Sequence, residues 1–464
     1  MTILRLALVA LVCAAFSVGC VSVDADARDA VQALSAGDDA KALAWSAELA
    51  DESHYSRSLG VAEAGRVNML AGRYAEAERR LRDAVDSAVD RSENSPRLKL
   101  GDLGNEAMAS TVTDDRTRQY YLPPYEINMA VEYAILAQVL NARPDEALVD
   151  ARLAVYVQDT LATTYGADVA KEPDGSNDTT RQIMADQDKA LEAMIAATRN
   201  SWENPLLWWL TGVMFEADGQ LDMAWQSYRK AAATGPGCTL FAADAARADK
   251  GATPARGKAK LVVVYEQGFV PRRESLKVPV PIYTGFAIDI PKYSDEPFAD
   301  NRVEVAAATG ATPAAPAVSV RSLAARDLKE KLPGVIVRNV TRAAVQAGAQ
   351  AAVNAAGNKY AQIAVFAGNM VVSAIRRADV RSWVTLPAAQ QAWCADSLEP
   401  GTHEVRVTVN GRAMTARVPL AAGETRVLWL ADLGGTMRGA SASLCSKGAP
   451  PTDLNGKEIK ETTK

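Results

Sequence analysis

The spacing of the hydrophobic residues changes near the middle of the chain. From residue 24 to about residue 250 the sequence is rich in alanine, and its apolar positions recur with the period of an α-helix. From residue 260 onwards, short apolar runs and strict alternation replace that period. The two patterns predict an α+β protein, with a helical domain at residues 20–250 and a smaller mixed α/β domain at residues 260–435.

Strand patterns dominate the second half. Residues 261–265 form a β-branched run, which predicts a buried strand. Residues 403–409 alternate polar and apolar side chains, which predicts a half-buried strand. The Asn410-Gly411 pair that follows is a strong signal for a tight hairpin. Residues 306–317 contain only small residues and proline after the first strands, and they predict an exposed loop.

One long helical pattern interrupts these strands. It runs from about residue 320 to about residue 377, and Pro333 is expected to break it. Its later part, residues 363–372, is almost wholly apolar but too short to span a bilayer, so we expect a long, buried apolar helix. The polar residues 436–464 predict a disordered tail.

A short motif recurs four times in the helical half. Copies begin at Gly37 and Gly72, 35 residues apart, and looser copies begin at Ala142 and Gly219. Small residues at the third and fifth positions after the glycine would let two helices pack closely. A period near 34 with this pattern resembles tetratricopeptide repeats, which are stacked helical hairpins. The resemblance implies an α-solenoid, whose concave face binds peptides or protein segments.

The N-terminus has the pattern of an export signal. Arg5 precedes an unbroken apolar run at residues 6–16, which is too short to span a bilayer and has the length of a signal-peptide core. The small residues Ser17, Val18 and Gly19 follow, and then Cys20. This resembles the signal of bacterial lipoproteins, in which the cysteine becomes the lipidated first residue of the mature protein.

The lipoprotein resemblance implies removal of residues 1–19 and a lipid anchor on Cys20. Such a protein is anchored to a membrane and faces the periplasm without spanning the bilayer. Val21 stands where Asp would favour inner-membrane retention, so the outer membrane is the expected location. Ser17 stands where that family usually has Leu, and cleavage by the ordinary secretory peptidase is the competing interpretation.

Composition and charge exclude several classes of function. The chain carries a formal net charge of −5, whereas nucleic-acid binding calls for a basic face. Its two histidines, His54 and His403, are too far apart in sequence to form a histidine-rich metal site. Phosphate-binding, nucleophile-elbow and zinc-protease motifs are all missing from the sequence. We therefore expect no enzymatic activity, no cofactor, no metal and no nucleic-acid partner.

Three cysteines remain in the mature chain after the anchor is counted. Cys238, Cys394 and Cys445 are an odd number in an oxidising compartment. One disulfide among them, with three choices of pair, and three unpaired thiols are both compatible with the sequence.

Two groups of residues in the helical half are candidates for partner binding. Tyr121, Tyr125 and Glu126 belong to an aromatic segment that leads into a helix. Trp208 and Trp209 lie in the first helix of the last repeat. The aromatic segment either lines a groove for a protein partner or forms a packing corner.

A second set of candidates lies in the C-terminal half. Asp379, Arg381 and Trp383 are close in sequence and are expected at a contact between the two domains. Trp383, together with Trp393 and Trp429, also offers the aromatic surface that a glycan-binding module would need. Glycan or peptidoglycan binding by this module is the alternative function.

Several short segments in order resemble an uncharacterised family of bacterial lipoproteins with a tetratricopeptide-like N-terminal half. The family resemblance covers most of residues 110–430, and Asp150 departs from it, since the family tends to Glu there. Such proteins are often encoded beside small lipoproteins similar to activators of peptidoglycan synthases. The segments that carry the resemblance are residues 122–126, 147–152, 262–268, 279–281, 378–387 and 400–403.

These expectations combine into one functional hypothesis. We expect a membrane-anchored periplasmic lipoprotein that acts as a non-enzymatic scaffold or adaptor for a cell-envelope assembly, such as one for peptidoglycan synthesis. Its partners would be envelope proteins and, through Cys20, the membrane.

Overall fold

The fold is α+β, with helices in the N-terminal half and mainly strands in the C-terminal half, as the pattern predicts. About half of the chain is helical. The structure is a computed structural model, and it describes residues 22–51, 56–90, 97–100, 119–169, 178–195, 198–253, 255–280, 287–307, 310–355, 377–446 and 448–460. Residues 1–21, with the predicted signal and Cys20, lie outside the described residues.

Most of the helices pack as consecutive neighbours along the chain. In the first half they are α1 (Ser22–Ala36), α2 (Asp39–Asp51), α3 (Arg57–Leu70), α4 (Tyr74–Ala88), α5 (Pro124–Leu140), α6 (Pro144–Thr163), α7 (Tyr165–Val169), α8 (Asp178–Ile195), α9 (Pro205–Ala217), α10 (Leu221–Thr234) and α11 (Thr239–Asp249). The second half adds α12 (Val320–Ala355).

Four helical hairpins are closed by the same turn. The turn residues Gly37, Gly72, Ala142 and Gly219 all adopt a left-handed φ, of 84°, 73°, 59° and 80°. With this conformation at the helix end, the backbone N–H of the next residue can donate a hydrogen bond to the carbonyl oxygen five residues before it. That bond recurs as Asp38 N to Ala33 O at 2.8 Å, Arg73 N to Asn68 O at 2.9 Å, Arg143 N to Gln138 O at 2.8 Å and Gln220 N to Phe215 O at 2.8 Å.

The repeated motif also places one small residue between the helices of each pair. The alanine at the fifth position after the turn residue is buried in all four hairpins. The third position was expected to share this role, but Ala40 and Ala75 are exposed there. Successive positions on a helix face different directions, so one of the two points to solvent. The buried alanines are Ala42, Ala77, Ala147 and Ala224.

The strands form two larger sheets and two ribbons. A six-stranded mixed sheet has the order β14-β13-β12-β3-β9-β8, and a four-stranded antiparallel sheet has the order β11-β10-β6-β7. The strands are β1 (Val89–Asp90), β2 (Arg97–Leu98), β3 (Ala259–Gln267), β4 (Arg273–Pro279), β5 (Ala287–Tyr293), β6 (Val303–Ala306), β7 (Thr312–Pro313), β8 (Ala315–Val318), β9 (Ala389–Leu398), β10 (Gly401–Val409), β11 (Arg412–Leu420), β12 (Thr425–Asp432), β13 (Met437–Ser443) and β14 (Thr452–Asp453).

The six-stranded sheet lies between two layers. Every residue of β3 is buried, as the sequence predicts for residues 261–265. Val262 and Val264 belong to the core shared with the helices, whereas Leu261 and Val263 belong to a second core against the four-stranded sheet. Because side chains alternate along a strand, one strand serves both cores.

The Asn410-Gly411 hairpin is confirmed. Val409 pairs with Arg412, so the turn between β10 and β11 has two central residues. Asn410 and Gly411 have φ values of 48° and 84°. Positive φ at both positions matches the right-handed twist of the flanking strands.

Helix α12 departs from its prediction. Pro333 was expected to break the helix, but the helix is continuous from residue 320 to residue 355. Leu332 and Ile336 are buried beside the proline, so packing on both sides compensates for the lost backbone bond. The expected apolar helix at residues 363–372 lies outside the described residues. Among the described helices, none is long and apolar enough to cross a membrane.

Two further expectations are wrong. The segment 436–464 was predicted to be disordered, but β13 pairs with β12 along its whole length. The predicted loop at residues 306–317 contains β7 and most of β8. The chain changes from helix to strand close to the predicted boundary between the helical and the mixed domain. A hydrophobic core that extends from Leu34 in α1 to Leu444 after β13 joins the two halves.

Candidate functional site

The two halves meet around residues 377–388, which we call the strap. The strap joins the region after α12 to β9 and has neither helical nor strand structure over most of its length. Its residues Trp383, Thr385 and Leu386 are fully buried. The strap lies across α3 and α5, which are the first helices of the second and third hairpins.

Two glutamates on these helices hold the strap through its backbone. The N–H of Val384 donates to Glu63 Oε1 at 2.7 Å, and the hydroxyl of Thr385 bonds Glu63 Oε2. The N–H of Trp383 donates to Glu126 Oε1 at 3.0 Å. Strap and helices are therefore joined by hydrogen bonds that do not depend on most strap side chains.

Glu126 is also the acceptor for two tyrosines. Tyr120 donates to its Oε2 and Tyr125 to its Oε1, both at 2.9 Å. Both phenols are buried, and burial raises their pKa well above the usual value. They therefore act as neutral donors throughout the ordinary pH range.

Arg66 and Glu266 connect α3 to the six-stranded sheet. Their side chains form a fully buried ion pair between Nη2 and Oε2. Arg66 Nε donates to the carbonyl of Thr385 at 3.4 Å, and its guanidinium lies 4.3 Å from the centre of the Tyr133 ring. One guanidinium thus contacts a helix, a strand and the strap.

Glu132 completes the buried arrangement. Gln390 Nε2 donates to Glu132 Oε1 at 2.6 Å, and Asn204 Nδ2 donates to Oε2 at 2.8 Å. Gln390 also reaches Glu266 Oε1 at 3.2 Å. Glu132 therefore links α5 with β9 and with the segment before α9. We call Glu63, Arg66, Glu126, Glu132 and Glu266 the junction cluster.

Burial dominates the electrostatics of the junction cluster. It raises the pKa of Glu63 to about 8, although bonds from Thr385 and Val384 oppose the rise. It raises the pKa of Glu132 to about 8 against the opposing effect of Gln390. It also raises the pKa of Glu126. A charged carboxylate loses its hydration on burial, so these groups favour the protonated form.

A neighbouring group of ion-paired side chains carries one excess positive charge. Arg273 on β4 bonds Asp327 on α12 at 3.2 Å; Asp327 is fully buried and Arg273 is 10% exposed. Lys331 lies 2.7 Å from the other oxygen of Asp327. This pair ties the β4–β5 ribbon to α12 beside the strap and gives the long helix a fixed position.

The chemistry open to the junction cluster is structural. All five side chains are almost completely buried, so a substrate in solution has no direct route to them. Raised carboxyl pKa values occur at catalytic sites, but buried structural networks produce them as well. In the described part of the chain, no group of three His, Cys, Asp or Glu side chains is placed to hold a metal ion.

The structure corrects the role of four of the five expected partner-binding residues. Tyr125, Glu126, Trp208 and Trp209 are buried, and a partner on this surface does not reach them. Trp209 donates to Asp244 at 2.7 Å within the helical layer. Only Tyr121 is exposed, at 38%. Two of the corrected residues nonetheless contribute to the contact with the strap.

The three expected interdomain residues lie between the halves. Arg381 pairs with Asp379 at 2.7 Å, and its Nη1 donates to Ser56 Oγ at 3.2 Å just before α3. Trp383 is buried and bonds Glu126 through its backbone. The segment therefore contacts the helices of the first half.

Glycan binding through the expected tryptophans has no support in this geometry. Trp383 and Trp429 are fully buried, and Trp393 is 9% exposed with its Nε1 bonded to Thr312. A sugar ring stacks only on an accessible aromatic face.

The structure contains no disulfide among the three cysteines it describes. Cys238, Cys394 and Cys445 are unpaired thiols.

The comparisons with known proteins add no relative. No family model, no curated protein and no solved structure matches the chain. The resemblance to a lipoprotein family therefore stays a prediction.

Sequence reasoning missed most of the junction cluster. Glu63 and Arg66 lie in a helix in which nearly every residue is buried, so no polar stripe distinguishes them. Glu266 ends an apolar strand, and Glu132 interrupts an apolar helix. A charged residue inside an otherwise apolar element was the available signal, because burial of such a group requires a partner.

Proposed function

We propose that this protein is a membrane-anchored lipoprotein facing the periplasm, where it acts as a non-enzymatic scaffold for a cell-envelope assembly. The observation that carries the proposal is the apolar run at residues 6–16 followed by Ser17, Val18, Gly19 and Cys20. Acyl chains on Cys20 would anchor the protein without a membrane-spanning helix. The outer membrane is the proposed location, because Val21 follows the cysteine.

The repeated turn supports a scaffold. Four hairpins with the same left-handed turn and the same buried alanine are the feature expected of a tetratricopeptide-like solenoid. We propose that α1–α6 and α9–α10 form such a solenoid. Solenoids mostly bind proteins and rarely catalyse reactions, an argument from fold alone.

The partner surface is proposed to lie on the outer side of this half. The first helices α3, α5 and α9 are buried beneath the strap and the six-stranded sheet. The second helices retain exposed apolar side chains, including Val149 on α6 and Leu221 on α10. Together with Tyr121, these are the side chains that an envelope protein would contact.

Anchoring is tested by labelling cells with a radioactive fatty acid. We expect label on the wild-type protein and none on Cys20→Ala, which should leave the membrane fraction. Membrane association of Cys20→Ala equal to that of the wild type would exclude the anchor.

Scaffolding is tested by photo-crosslinking in intact cells from position 149. We expect a discrete crosslinked product with an envelope protein, and its loss in the Cys20→Ala background. Position 415, on the exposed face of β11, is the matched control. Equal products from both positions would contradict a specific surface on the helices.

A further inference from the structure

The contact between the strap and the helices contains more buried carboxyl groups than the buried cations can neutralise. The junction cluster contains four carboxyl groups and one guanidinium. Arg66 is paired with Glu266, which leaves Glu63, Glu126 and Glu132 without an ion-pair partner of their own. Arg273 and Lys331 both contact Asp327, which leaves one excess positive charge, and Arg273 lowers the pKa of Glu126. With every group ionised, the interior would still carry two uncompensated negative charges, which is strongly unfavourable.

The remaining groups that face the cluster add no further charge. The phenols around it are neutral, and Asp379 pairs with Arg381. The facing groups are Tyr120 before α5, Tyr125 and Tyr133 on α5, Arg273 on β4, Tyr293 on β5, Asp327 and Lys331 on α12, and Asp379 and Arg381 on the strap.

The hydrogen bonds at Glu63 and Glu132 come from neutral groups. At Glu63, Oε1 accepts the N–H of Val384. The Thr385 hydroxyl can either donate to Glu63 Oε2 or accept a proton from it. Glu132 accepts from the side-chain amides of Gln390 and Asn204.

We propose that the strap and the junction cluster form a proton-controlled latch between the two halves. The latch is closed while Glu63 and Glu132 carry their protons, and it opens as these protons leave. An ionised glutamate without a cation partner is strongly disfavoured in the interior, so ionisation separates the strap from α3 and α5. Opening would uncover the parts of α3 and α5 that lie beneath the strap. The proposal does not depend on the lipid anchor.

The raised pKa values of Glu63 and Glu132 support the pH range of this opening. In the open state these carboxyl groups would lose their protons near their ordinary value of 4.5. Opening therefore grows as the pH rises from about 5 to about 8, by about tenfold per pH unit for each group, and then reaches a plateau.

Hydrogen–deuterium exchange of the full chain tests the latch. Protection of residues 377–388, corrected for the intrinsic effect of pH, should fall between about pH 5 and about pH 8. Protection of the β10–β11 hairpin should not change over this range. Strap protection that is independent of pH, or a loss that is equal in both regions, would overturn the proposal.

Glu63→Gln/Glu132→Gln is the decisive variant. Both substitutions keep the shape of the side chain and cannot ionise, so strap protection should stay high up to about pH 8. Glu78→Gln is the matched control, because Glu78 is a buried carboxyl paired with Arg143 outside the cluster. It should retain the pH response of the wild type.

If Glu63→Gln/Glu132→Gln does not fold, infrared spectroscopy of the wild-type protein tests whether the buried carboxyl groups are protonated. The wild-type protein in D₂O at about pH 6 should show the carbonyl band of buried, protonated carboxylic acids, and the band should fade towards about pH 8. Glu63→Gln alone should reduce it. A wild-type spectrum without this band would contradict the latch.

Discussion

The two faces of the six-stranded sheet are built differently. The face towards the four-stranded sheet packs aliphatic side chains such as Leu261, Val263 and Leu428 against Val405 and Val407. The face towards the helices mixes apolar side chains with a buried ion pair, protonatable glutamates and amides. Side chains from the same strands therefore enter one apolar layer and one polar layer.

The difference between the two faces shows what determines the packing on each side of the sheet. Apolar contacts have no direction, so the apolar layer is set by volume and strand register. Each buried polar group requires a partner at one distance and angle, so the polar layer accepts only one placement of strap and helices. We infer that the apolar layer contributes stability that is insensitive to pH, whereas the polar layer determines how the halves dock and responds to protons.

Arg66→Ala should have the largest effect. The substitution leaves Glu266 buried without its cation and removes the contacts to Tyr133 and Thr385. Breaking a buried pair costs about 3–5 kcal/mol, so we expect a loss of that size in the free energy of unfolding by urea.

Arg66→Met/Glu266→Met is the control for that prediction. Replacing both members of a buried pair with apolar residues is often close to neutral, so the double variant should recover most of the loss. No recovery would mean that the polar layer is held mainly by packing of the guanidinium and not by its charge.

Leu428→Ala tests the apolar layer. Leu428 is buried between the two sheets, and truncation of a buried leucine costs about 2–5 kcal/mol. The loss measured by urea unfolding should be the same at about pH 5 and at about pH 8, because no ionisable group of the junction cluster contacts this side chain. A loss that doubled over this range would remove the distinction between the layers.

The pH dependence of stability tests the polar layer directly. Glu63 and Glu132 bind protons more tightly in the folded state, with pKa values near 8, than in the unfolded state, with values near 4.5. The folded state therefore holds more protons between these values, and stability must fall as the pH rises through the interval. The expected slope is about 1.4 kcal/mol per pH unit for each group.

Glu63→Gln should reduce this slope by the contribution of one group. The measurement is the free energy of unfolding at several pH values for the wild type, Glu63→Gln and the control Glu78→Gln. A slope that stays unchanged in Glu63→Gln would show that this carboxyl group is ionised in the folded protein.

Local signals predicted the elements that local chemistry determines. The Asn410-Gly411 turn and the four left-handed helix ends depend on a few adjacent residues, so a sequence pattern reveals them. Strand β13 has the sequence MRGASAS, and its small polar residues read as a tail. Its pairing with β12 supplies the hydrogen bonds and the burial that its sequence does not indicate.

The junction cluster could not be predicted from the sequence, because its members come together only in the folded protein. Glu63 and Glu266 are 203 positions apart, and Arg66 meets Glu266 only when the sheet lies on the helices. Trp208 and Trp209 were read as a binding surface, because aromatic side chains serve surfaces and cores equally well. The strap, in contrast, was partly predicted from its charged and aromatic residues Asp379, Arg381 and Trp383, which lie at the contact with the helical half.

Asn410→Ala should have the smallest of these effects and should leave the polar layer untouched. The substitution places alanine at a φ of 48°, where a side chain other than Asn or Gly is strained, and it removes the bond from the Arg302 N–H to Asn410 Oδ1. We expect a loss of about 1 kcal/mol in urea unfolding. Asn410→Gly separates the causes, because glycine accepts the φ but lacks the side chain. Near-wild-type stability of Asn410→Gly would assign the loss to strain, whereas an equal loss would assign it to the side-chain bonds. In both variants the slope of stability against pH should equal that of the wild type, since the hairpin borders only the apolar layer.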